Sequence, residues 1–343
     1  MCPPAAVICY RGKASPVKWA ADGRKGNGGC QWAEAYQKTW RWTLKFLAIG
    51  ECMVELSPGG EATYRAGFAG DTLNTAWYVR KCLPPDWSVA YFTAVGEDRM
   101  SDKMLAFLRA SGIDTDLIVR RSDKTVGLYM IHLDKGERSF TYWRSDSAAR
   151  SLARVRSDLD AALSGVDVAY VSGITLAILP ASDRQVLFGA LSQAREAGTK
   201  IAFDPNLRPR LWSDADTMRQ SVIAFSRICD VVLPSFDDER TVFGDADPAA
   251  TIARYRSAGA DLVVVKNGSA DVQCGNADGT WSYPVDPVSR IVDTTAAGDS
   301  FNAGFLARYL VEGTLETAVR SGAAVAGQVI GHHGALVEVV APN

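Results

Sequence analysis

The 343-residue sequence lacks the features that identify membrane, fibrous and disulfide-rich proteins. It contains no uninterrupted apolar run approaching the roughly 20 residues that a membrane helix needs. Its formal net charge is only −2, which gives no overall case for a nucleic-acid partner. Its seven cysteines are scattered and form no CxxC pair, a pattern that predicts reduced thiols in a cytoplasmic protein. With 47% hydrophobic and 22% charged residues, the chain is typical of a soluble globular protein with a substantial core.

The small net charge hides an uneven distribution along the chain. Residues 1–45 hold eight Lys or Arg but two acidic residues, a formal charge of +6, together with four of the nine tryptophans. Residues 46–343 therefore carry −8. The first segment has no helical or strand period, and it lacks the apolar region of a signal peptide. We expect 1–45 to be a basic N-terminal extension, disordered or non-native, and 46–343 to be the functional domain.

From Phe46 onward, apolar strands alternate with amphipathic helices. This alternation predicts an α/β fold with a mostly parallel central sheet and helices on both faces. Two segments, near 57–69 and 125–144, instead have the pattern of hairpins and predict a small antiparallel β lid. The predicted strands are 46–50, 53–56, 89–95, 166–172, 200–204, 230–234 and 262–266, and the predicted helices are 72–82, 98–111, 181–197, 214–226, 248–258, 297–311 and 315–330.

The segment Asp293–Phe301 is the most informative in the chain. It reads Asp-Thr-Thr-Ala-Ala-Gly-Asp-Ser-Phe, so three small residues lead directly into an amphipathic helix. The free N–H groups at the start of a helix form an anion site. Asp299 falls in the first turn, where it is either a general base beside that site or an acid that complements the helix dipole. The residues alone do not decide between these two roles.

This segment resembles the C-terminal signature DTxGAGD of the ribokinase-like (PfkB) carbohydrate kinases, with Ala296 in place of the usual first Gly. Ala69–Ala76 resembles their first signature, GGxxxNxA, again with Ala in place of one Gly. The resemblance spans Phe46 to the C-terminus and implies a ribokinase-like fold with a β lid. It also implies a carbohydrate kinase in which Asp299 is the catalytic base. The implied anion hole consists of Ala296, Ala297 and Gly298.

Three further segments, Gly50–Leu56, Phe203–Trp212 and Leu233–Glu239, resemble the 2-keto-3-deoxygluconate kinase branch of that family. The implied reaction is ATP-dependent phosphorylation of the C6 hydroxyl of this sugar acid. An acidic substrate also fits the residues themselves. Arg208 follows a parallel strand and Arg144 ends the lid hairpin, so two guanidinium groups can pair with one carboxylate. The sugar contacts implied by the resemblance are Gly70, Asp71, Asn74, Tyr129, Tyr142, Arg144 and Arg208.

The resemblance also implies where the nucleotide and metal ions bind. The expected ATP contacts are Ser235, Lys266, Gly268 and Gly298, although Lys266 is equally well explained as a solvated lysine at a strand end. We expect Mg²⁺ to be held mainly by nucleotide and water, with indirect help from Asp238 or Glu239, because Ser235 and Asp238 replace the Asn and Glu of the family's N-x-x-E element. Asp293 and Thr295 match family positions that can hold a monovalent cation.

Several alternatives stay open. A fructokinase or ribokinase acting on a neutral sugar would carry the same signatures, and an inactive sugar-sensing protein could use the same fold. A nucleotide-dependent dehydrogenase is disfavoured because no GxGxxG follows the first strand. The expected partners are a small sugar acid and ATP, with no nucleic acid and no membrane. Members of the family often dimerise through the lid, so a homodimer is a further expectation.

Overall fold

The structure, a computed structural model, describes residues 44–60, 63–134 and 137–342. The basic extension predicted over 1–45 lies outside these ranges except for Leu44 and Lys45. Both residues belong to the first strand, and the Lys45 N–H donates to Asp167 Oδ2 at 2.8 Å. Within the described part of the chain, no helix is long and apolar enough to cross a membrane.

The strands form a large main sheet and two smaller sheets. Numbered in chain order, they are β1 (Leu44–Ile49), β2 (Met53–Gly60), β3 (Thr63–Ala69), β4 (Trp87–Phe92), β5 (Ala94–Gly96), β6 (Val119–Arg121), β7 (Gly127–Asp134), β8 (Glu137–Trp143), β9 (Val168–Ser172), β10 (Lys200–Asp204), β11 (Val231–Val232), β12 (Leu262–Val265), β13 (Val272–Gly275) and β14 (Thr280–Tyr283).

The main sheet has eight strands in the order β14-β13-β12-β11-β10-β9-β1-β4. The six strands from β12 to β4 are parallel, and β13 and β14 extend the sheet as an antiparallel edge. Parallel neighbours need a crossover between them, and most of the helices fill these connections. The carboxyl ends of all six parallel strands therefore meet at one edge of the sheet, where open α/β sheets bind their ligands.

Helices cover both faces of the main sheet and bury its side chains in two separate cores. Along β1, Phe46 and Ala48 enter one core while Leu47 and Ile49 enter the other, as the two-residue period of a strand requires. This layering confirms the predicted α/β fold class. The helices are α1 (Asp71–Cys82), α2 (Arg99–Ala110), α3 (Arg156–Leu163), α4 (Gly173–Ile178), α5 (Ala181–Glu196), α6 (Ala215–Ser226), α7 (Phe236–Phe243), α8 (Pro248–Ala258), α9 (Ala297–Glu312) and α10 (Leu315–Ile330).

The second sheet has the strand order β3-β2-β7-β8 and contains the segments in which the sequence analysis expects the lid. Its outer pairs are antiparallel hairpins, but β2 and β7 run parallel to each other. The sheet is therefore mixed rather than wholly antiparallel. The difference arises because each hairpin is a local pairing, whereas the contact between them joins strands that are distant in the chain. The short β5 and β6 form a separate parallel pair.

Candidate active site

A cavity of about 310 Å³ lies between the carboxyl edge of the main sheet and the lid. Most of the predicted site residues line this cavity. They come from the two signature segments, from the lid and from the segments that follow three strands of the main sheet. The predicted residues that line the cavity are Gly70, Asp71, Asn74, Tyr129, Tyr142, Arg144, Arg208, Ser235, Asp238, Lys266, Thr295, Ala296, Ala297, Gly298 and Asp299. Gly268, Glu239 and Asp293 are not among the lining residues.

The start of α1 forms one wall of the cavity. A Cβ atom at Gly70 would collide with the carbonyl oxygen of Glu51, so glycine is needed where the chain enters the helix. The next residue, Asp71, accepts a hydrogen bond from Asn206 Nδ2 at 3.0 Å. Burial and the nearby Asp204 raise the pKa of Asp71, while hydrogen bonds and Arg144 oppose this rise. Asp71 is thus held in one orientation by its neighbours.

The start of α9 faces α1 across the cavity. Residues 297–299 form the first turn of this helix, where N–H groups have no acceptor within the helix. Asn74 on α1 donates from Nδ2 to Asp299 Oδ2 at 2.8 Å. This bond connects the two signatures, which are 225 positions apart in the chain. It also fixes the carboxylate of Asp299 beside the helix start, as a base next to an anion hole requires.

The environment of Asp299 raises its pKa to about 8. Burial is the largest cause, and the negative charges of Asp71 and Asp204 add to it. The hydrogen bond from Asn74 and the positive charge of Lys266 act in the opposite direction. A carboxyl group with a pKa of about 8 is a stronger base than an ordinary carboxylate, but it accepts a proton only in its ionised form, which becomes the majority above about pH 8.

Lys266 follows β12 and lies below the start of α9. Its ammonium forms an ion pair with Asp204, with Nζ 2.9 Å from Oδ2, and it donates to Asn302 Oδ1, also at 2.9 Å. The residue is only 9% exposed, so the alternative of a solvated lysine at a strand end is wrong. Its role as a phosphate contact stays a prediction.

On the lid side, Arg144 is held by a buried ion pair. The guanidinium contacts the carboxylate of Glu51, which also accepts a hydrogen bond from Ser147. The Arg144 side chain is 10% exposed, and its Nε has no hydrogen-bond partner among the described residues. Its Cζ lies 5.8 Å from the ring centroid of Tyr142. The cavity wall therefore contains a buried guanidinium with a donor to spare.

Arg208 also lines the cavity. It forms an ion pair with Asp238, with Nη1 3.1 Å from Oδ2, and both side chains are partly exposed. Exposed pairs of this kind contribute little to stability and are easily exchanged for another partner. Arg208, which is predicted to bind the sugar carboxylate, is thus paired with Asp238, which is predicted to help indirectly with Mg²⁺.

Three predicted residues have their contacts elsewhere. Glu239 is fully buried and pairs with Arg254, and burial raises its pKa to about 7. Asp293 accepts the N–H groups of Thr295 at 3.0 Å and Gly334 at 2.8 Å, so it joins the loops before α9 and after α10. Gly268 lies in the turn after β12, with a left-handed φ of +59°.

Several lining residues were missed by the sequence analysis: Met53, Phe140, Ile174, Asp204, Asn206, Thr294 and Ala335. Asp204 ends β10 and Asn206 lies two residues after it, so the position at the carboxyl edge was a usable signal for both. Glu51 has the corresponding position after β1. Its pairing with Arg144 depends on the lid geometry, however, and the sequence carries no signal for that.

The sequence profile of the pfkB family of carbohydrate kinases matches residues 44–340. The chain belongs to this family. It is similar to a 2-dehydro-3-deoxygluconokinase of Haemophilus influenzae, with 39% identity over 310 residues that cover 87% of this chain and 96% of the relative. A fructokinase of Klebsiella pneumoniae is 30% identical over 271 residues, covering 78% and 85%. The crystal structure of a PfkB protein from Polaromonas sp. JS666 matches with a TM-score of 0.75 at 27% identity, covering 84% and 96%.

These comparisons confirm two predictions made from the signatures, namely the ribokinase-like family and a carbohydrate kinase. Membership also gives a context for the departure at Ala296. This residue has φ +59° and ψ 14°, which is left-handed, and it is the N-cap of α9. Because a left-handed conformation costs an L-residue roughly 1–2 kcal/mol, the kinase carries local strain where the family signature has Gly.

We expect Ala296→Gly to raise the free energy of unfolding by about 1 kcal/mol, because glycine adopts the left-handed conformation without that cost. Urea unfolding monitored by circular dichroism measures the change. Ala303→Gly is the matched control, since Ala303 lies inside α9 and the same substitution there should lower stability by about 1 kcal/mol or more. Loss of stability in Ala296→Gly would show that the strain is not relieved by glycine.

Proposed function

We propose that this kinase transfers the terminal phosphoryl group of ATP to the C6 hydroxyl of 2-keto-3-deoxygluconate, also called 2-dehydro-3-deoxygluconate. The product is the 6-phosphate. The observation that carries the proposal is the buried guanidinium of Arg144 in the cavity wall, with Nε lacking a hydrogen-bond partner among the described residues. The 39% identity to a 2-dehydro-3-deoxygluconokinase over almost its whole length supports the same substrate.

A sugar acid suits this wall because a buried donor without a partner costs about 1–3 kcal/mol, and a carboxylate would satisfy it. Arg208, in its weak pair with Asp238, is a second guanidinium lining the cavity. The Asp71 and Asn74 side chains also line the cavity and would provide acceptors and donors for sugar hydroxyls. In the proposed pose the acid end faces the two arginines and the hydroxyl end faces Asp299.

Asp299 would remove the proton from the attacking hydroxyl. Asn74 holds its carboxylate in place through the 2.8 Å hydrogen bond, and the raised pKa makes its ionised form a stronger proton acceptor than an ordinary carboxylate. The N–H groups of Ala297 and Gly298 lie at the start of α9, where the helix dipole favours negative charge. Lid residues Tyr129 and Tyr142 cover the sugar side and would keep water away from the transfer.

The nucleotide would be held at the other end of the cavity. Ser235 and Gly298 line the cavity and would contact the nucleotide, and the turn at Gly268 begins two residues after Lys266. Mg²⁺ bound with ATP supplies the positive charge that phosphoryl transfer needs. Among the described residues, no group of three or more His, Cys, Asp or Glu side chains is arranged to hold a metal ion. The cavity carboxylate Asp238 fits an indirect role, since Mg²⁺ in such sites keeps several waters, whereas Glu239 would act only through Arg254.

Three further proposals come with this assignment. Asp293 and Thr295 would hold a monovalent cation, which comparison of activity in potassium and in tetramethylammonium salts tests. The lid exposes Tyr142 and Trp143, which would contribute to a homodimer interface, and analytical ultracentrifugation tests this. A cytoplasmic location is supported by the scattered cysteines and is tested by cell fractionation.

The substrate is decided by a coupled assay of ADP release with 2-keto-3-deoxygluconate, fructose and ribose. We expect the sugar acid to have a kcat/KM about ten- to a hundredfold above both neutral sugars, because one unsatisfied charged donor is worth roughly 1.5–3 kcal/mol. Phosphorylation of fructose or ribose at a higher kcat/KM would replace the proposal by the neutral-sugar alternative. If none of the three sugars is phosphorylated, the result would favour the inactive sugar-sensing protein.

Arg144→Ala should raise KM for the sugar acid about ten- to a hundredfold, because a charge-assisted hydrogen bond is lost. KM for a neutral sugar should change far less. Initial-rate kinetics with both substrates measures the difference, and Arg154→Ala, which removes an exposed arginine, is the matched control. Equal effects on the acid and the neutral sugar would mean that Arg144 does not bind the carboxylate.

Asp299→Asn should lower kcat by a factor of about a hundred or more while the sugar still binds, because only proton transfer is removed. In the wild type, kcat/KM should rise with pH through a midpoint near 8, since the carboxyl must be ionised to act as a base and its pKa is raised to about 8. Stopped-time assays from acid to alkaline pH and calorimetric sugar titration measure both effects. Near-normal turnover in this variant would overturn the assignment, and Asp123→Asn, at an exposed position, is the control.

A further inference from the structure

Four polar side chains form a buried cluster below the start of α9. It consists of Tyr170 at the centre of β9, Asp204 at the end of β10, Lys266 after β12 and Asn302 on α9. Lys266 Nζ lies 2.9 Å from both Asp204 Oδ2 and Asn302 Oδ1. Asn302 Nδ2 donates to Asp204 Oδ2 at 2.6 Å and to the Tyr170 hydroxyl at 3.1 Å. Each member is less than a tenth exposed, so the cluster holds the helix on the sheet without help from solvent.

The cluster is adjacent to the catalytic segment. Asn302 is three residues after Asp299 and so lies on the same face of α9. A Cβ at Gly298 would come within 3.6 Å of Lys266 Nζ, which puts the ammonium close to the backbone of the proposed anion hole. Thr75 Oγ1 on α1 lies 3.3 Å from both the Tyr170 hydroxyl and the Asp299 carbonyl oxygen. The cluster thus contacts both helices that carry the family signatures.

The charges explain why Lys266 remains inside the cluster. Asp204 is 4% exposed, and a buried carboxylate without a cation would cost several kcal/mol. The ammonium has three donors, of which Asp204 and Asn302 accept two. A lysine that moved up to a phosphate would leave Asp204 buried and without this charge partner.

We infer that Lys266 is a positioning residue, which anchors the start of α9 to the sheet and supplies a compensating positive charge to the carboxylates around Asp299, rather than a phosphate ligand. The inference rests on the proposed function, because that function makes Asp299 the base. In this role Lys266 affects the base that acts on the sugar hydroxyl, whereas a phosphate ligand would act on ATP.

Several titratable groups of the described residues interact electrostatically with Asp299 from the elements packed around it. They are Asp71 and Tyr78 on α1, Tyr170 on β9, Asp204 on β10 and Lys266 after β12. Burial raises the pKa of both phenols, which therefore stay neutral. Asp71 and Asp204 raise the pKa of Asp299, and Lys266 lowers it. Removing Lys266 should therefore make Asp299 harder to ionise.

The first test is Lys266→Met, which keeps the length of the side chain and removes its charge. The acid limb is the part of the pH profile over which kcat/KM rises as Asp299 ionises. We expect this limb to move up by about one pH unit, which is a roughly tenfold loss of kcat/KM at a given pH on the limb. KM for ATP should change less than about threefold. A tenfold or larger rise in KM for ATP with an unmoved acid limb would overturn the inference in favour of phosphate binding.

A double variant, Asp204→Asn with Lys266→Met, addresses the case in which the single variant does not fold because Asp204 is left uncompensated. It removes one negative and one positive charge near Asp299, so the acid limb should return to within a few tenths of a unit of the wild type. A phosphate ligand would instead give a raised KM for ATP in the double variant as well, and this result would also overturn the inference.

Lys200→Met is the matched control. Lys200 begins β10 and also pairs with an aspartate, with Nζ 2.9 Å from Asp230 Oδ1, but its side chain is 65% exposed and does not line the cavity. Its loss should leave the acid limb unmoved. A shift equal to that of Lys266→Met would mean that any lysine removal gives this effect, which would contradict a specific role for Lys266.

The inference and the proposed function can fail separately. The profiles are measured with whichever sugar the kinase phosphorylates fastest, so a wrong sugar does not affect them. If Asp299 is not the base, the pH profile of the Asp299→Asn variant still shows the acid limb. An NMR titration of the Asp299 carboxyl, assigned by its absence in Asp299→Asn, then still shows whether Lys266→Met raises its pKa. An unchanged titration would overturn the charge role of Lys266 without any activity measurement.

Discussion

The organisation of this kinase site depends on one constraint, which is that three carboxylates share a poorly solvated edge of the main sheet. Asp71, Asp204 and Asp299 all line the same cavity, and Asp71 and Asp204 both raise the pKa of Asp299. Each carboxylate accepts a hydrogen bond from an asparagine amide, which donates without adding charge. Lys266 then compensates the most deeply buried of the three, Asp204. Because burying an uncompensated charge costs several kcal/mol, these side chains have to be considered as one unit.

The same balance determines what Asp299 can do. A carboxylate in water has a pKa near 4 and is a weak base, whereas a fully buried and uncompensated one would remain protonated at neutral pH. Burial and the two neighbouring aspartates push the pKa of Asp299 upward, and Asn74 and Lys266 limit the rise, so that it reaches about 8. Asp299 is therefore mostly protonated at neutral pH but becomes ionised at mildly alkaline pH. A general base is most effective when its pKa is near the working pH. The packing of α1 and α9 against the sheet is therefore also what tunes the proposed chemistry.

The fold class and the two signature segments of the site were predictable from local signals in the sequence. The pairings between residues distant in the chain were not. The segments around Asn74 and Asp299 are contiguous signatures, so they were found without knowing that a hydrogen bond joins them. The pairing of Lys266 with Asp204, 62 positions earlier, depends on the order of β10, β11 and β12 in the sheet, which no local pattern encodes. The short α4 has too few turns for a helical period to be recognised, and the strand β14 is mostly exposed and lacks an apolar alternation. Strand ends were the underused signal, because they would have added Asp204 and Asn206.

The contact between Glu51 and Arg144 shows how recognition of a sugar acid would be linked to the lid. Glu51 lies where the chain leaves β1 for the first lid hairpin, and Arg144 lies where it leaves the second hairpin after β8, so their ion pair joins the start of one hairpin to the end of the other. The planar guanidinium has five donors and can serve Glu51 and a ligand carboxylate together. A neutral sugar would leave Nε of Arg144 unsatisfied in a buried position, at a cost of about 1–3 kcal/mol. Because Nε already lacks a partner in the free protein, discrimination against neutral sugars would then come from the hydrogen bond that only an acidic ligand adds.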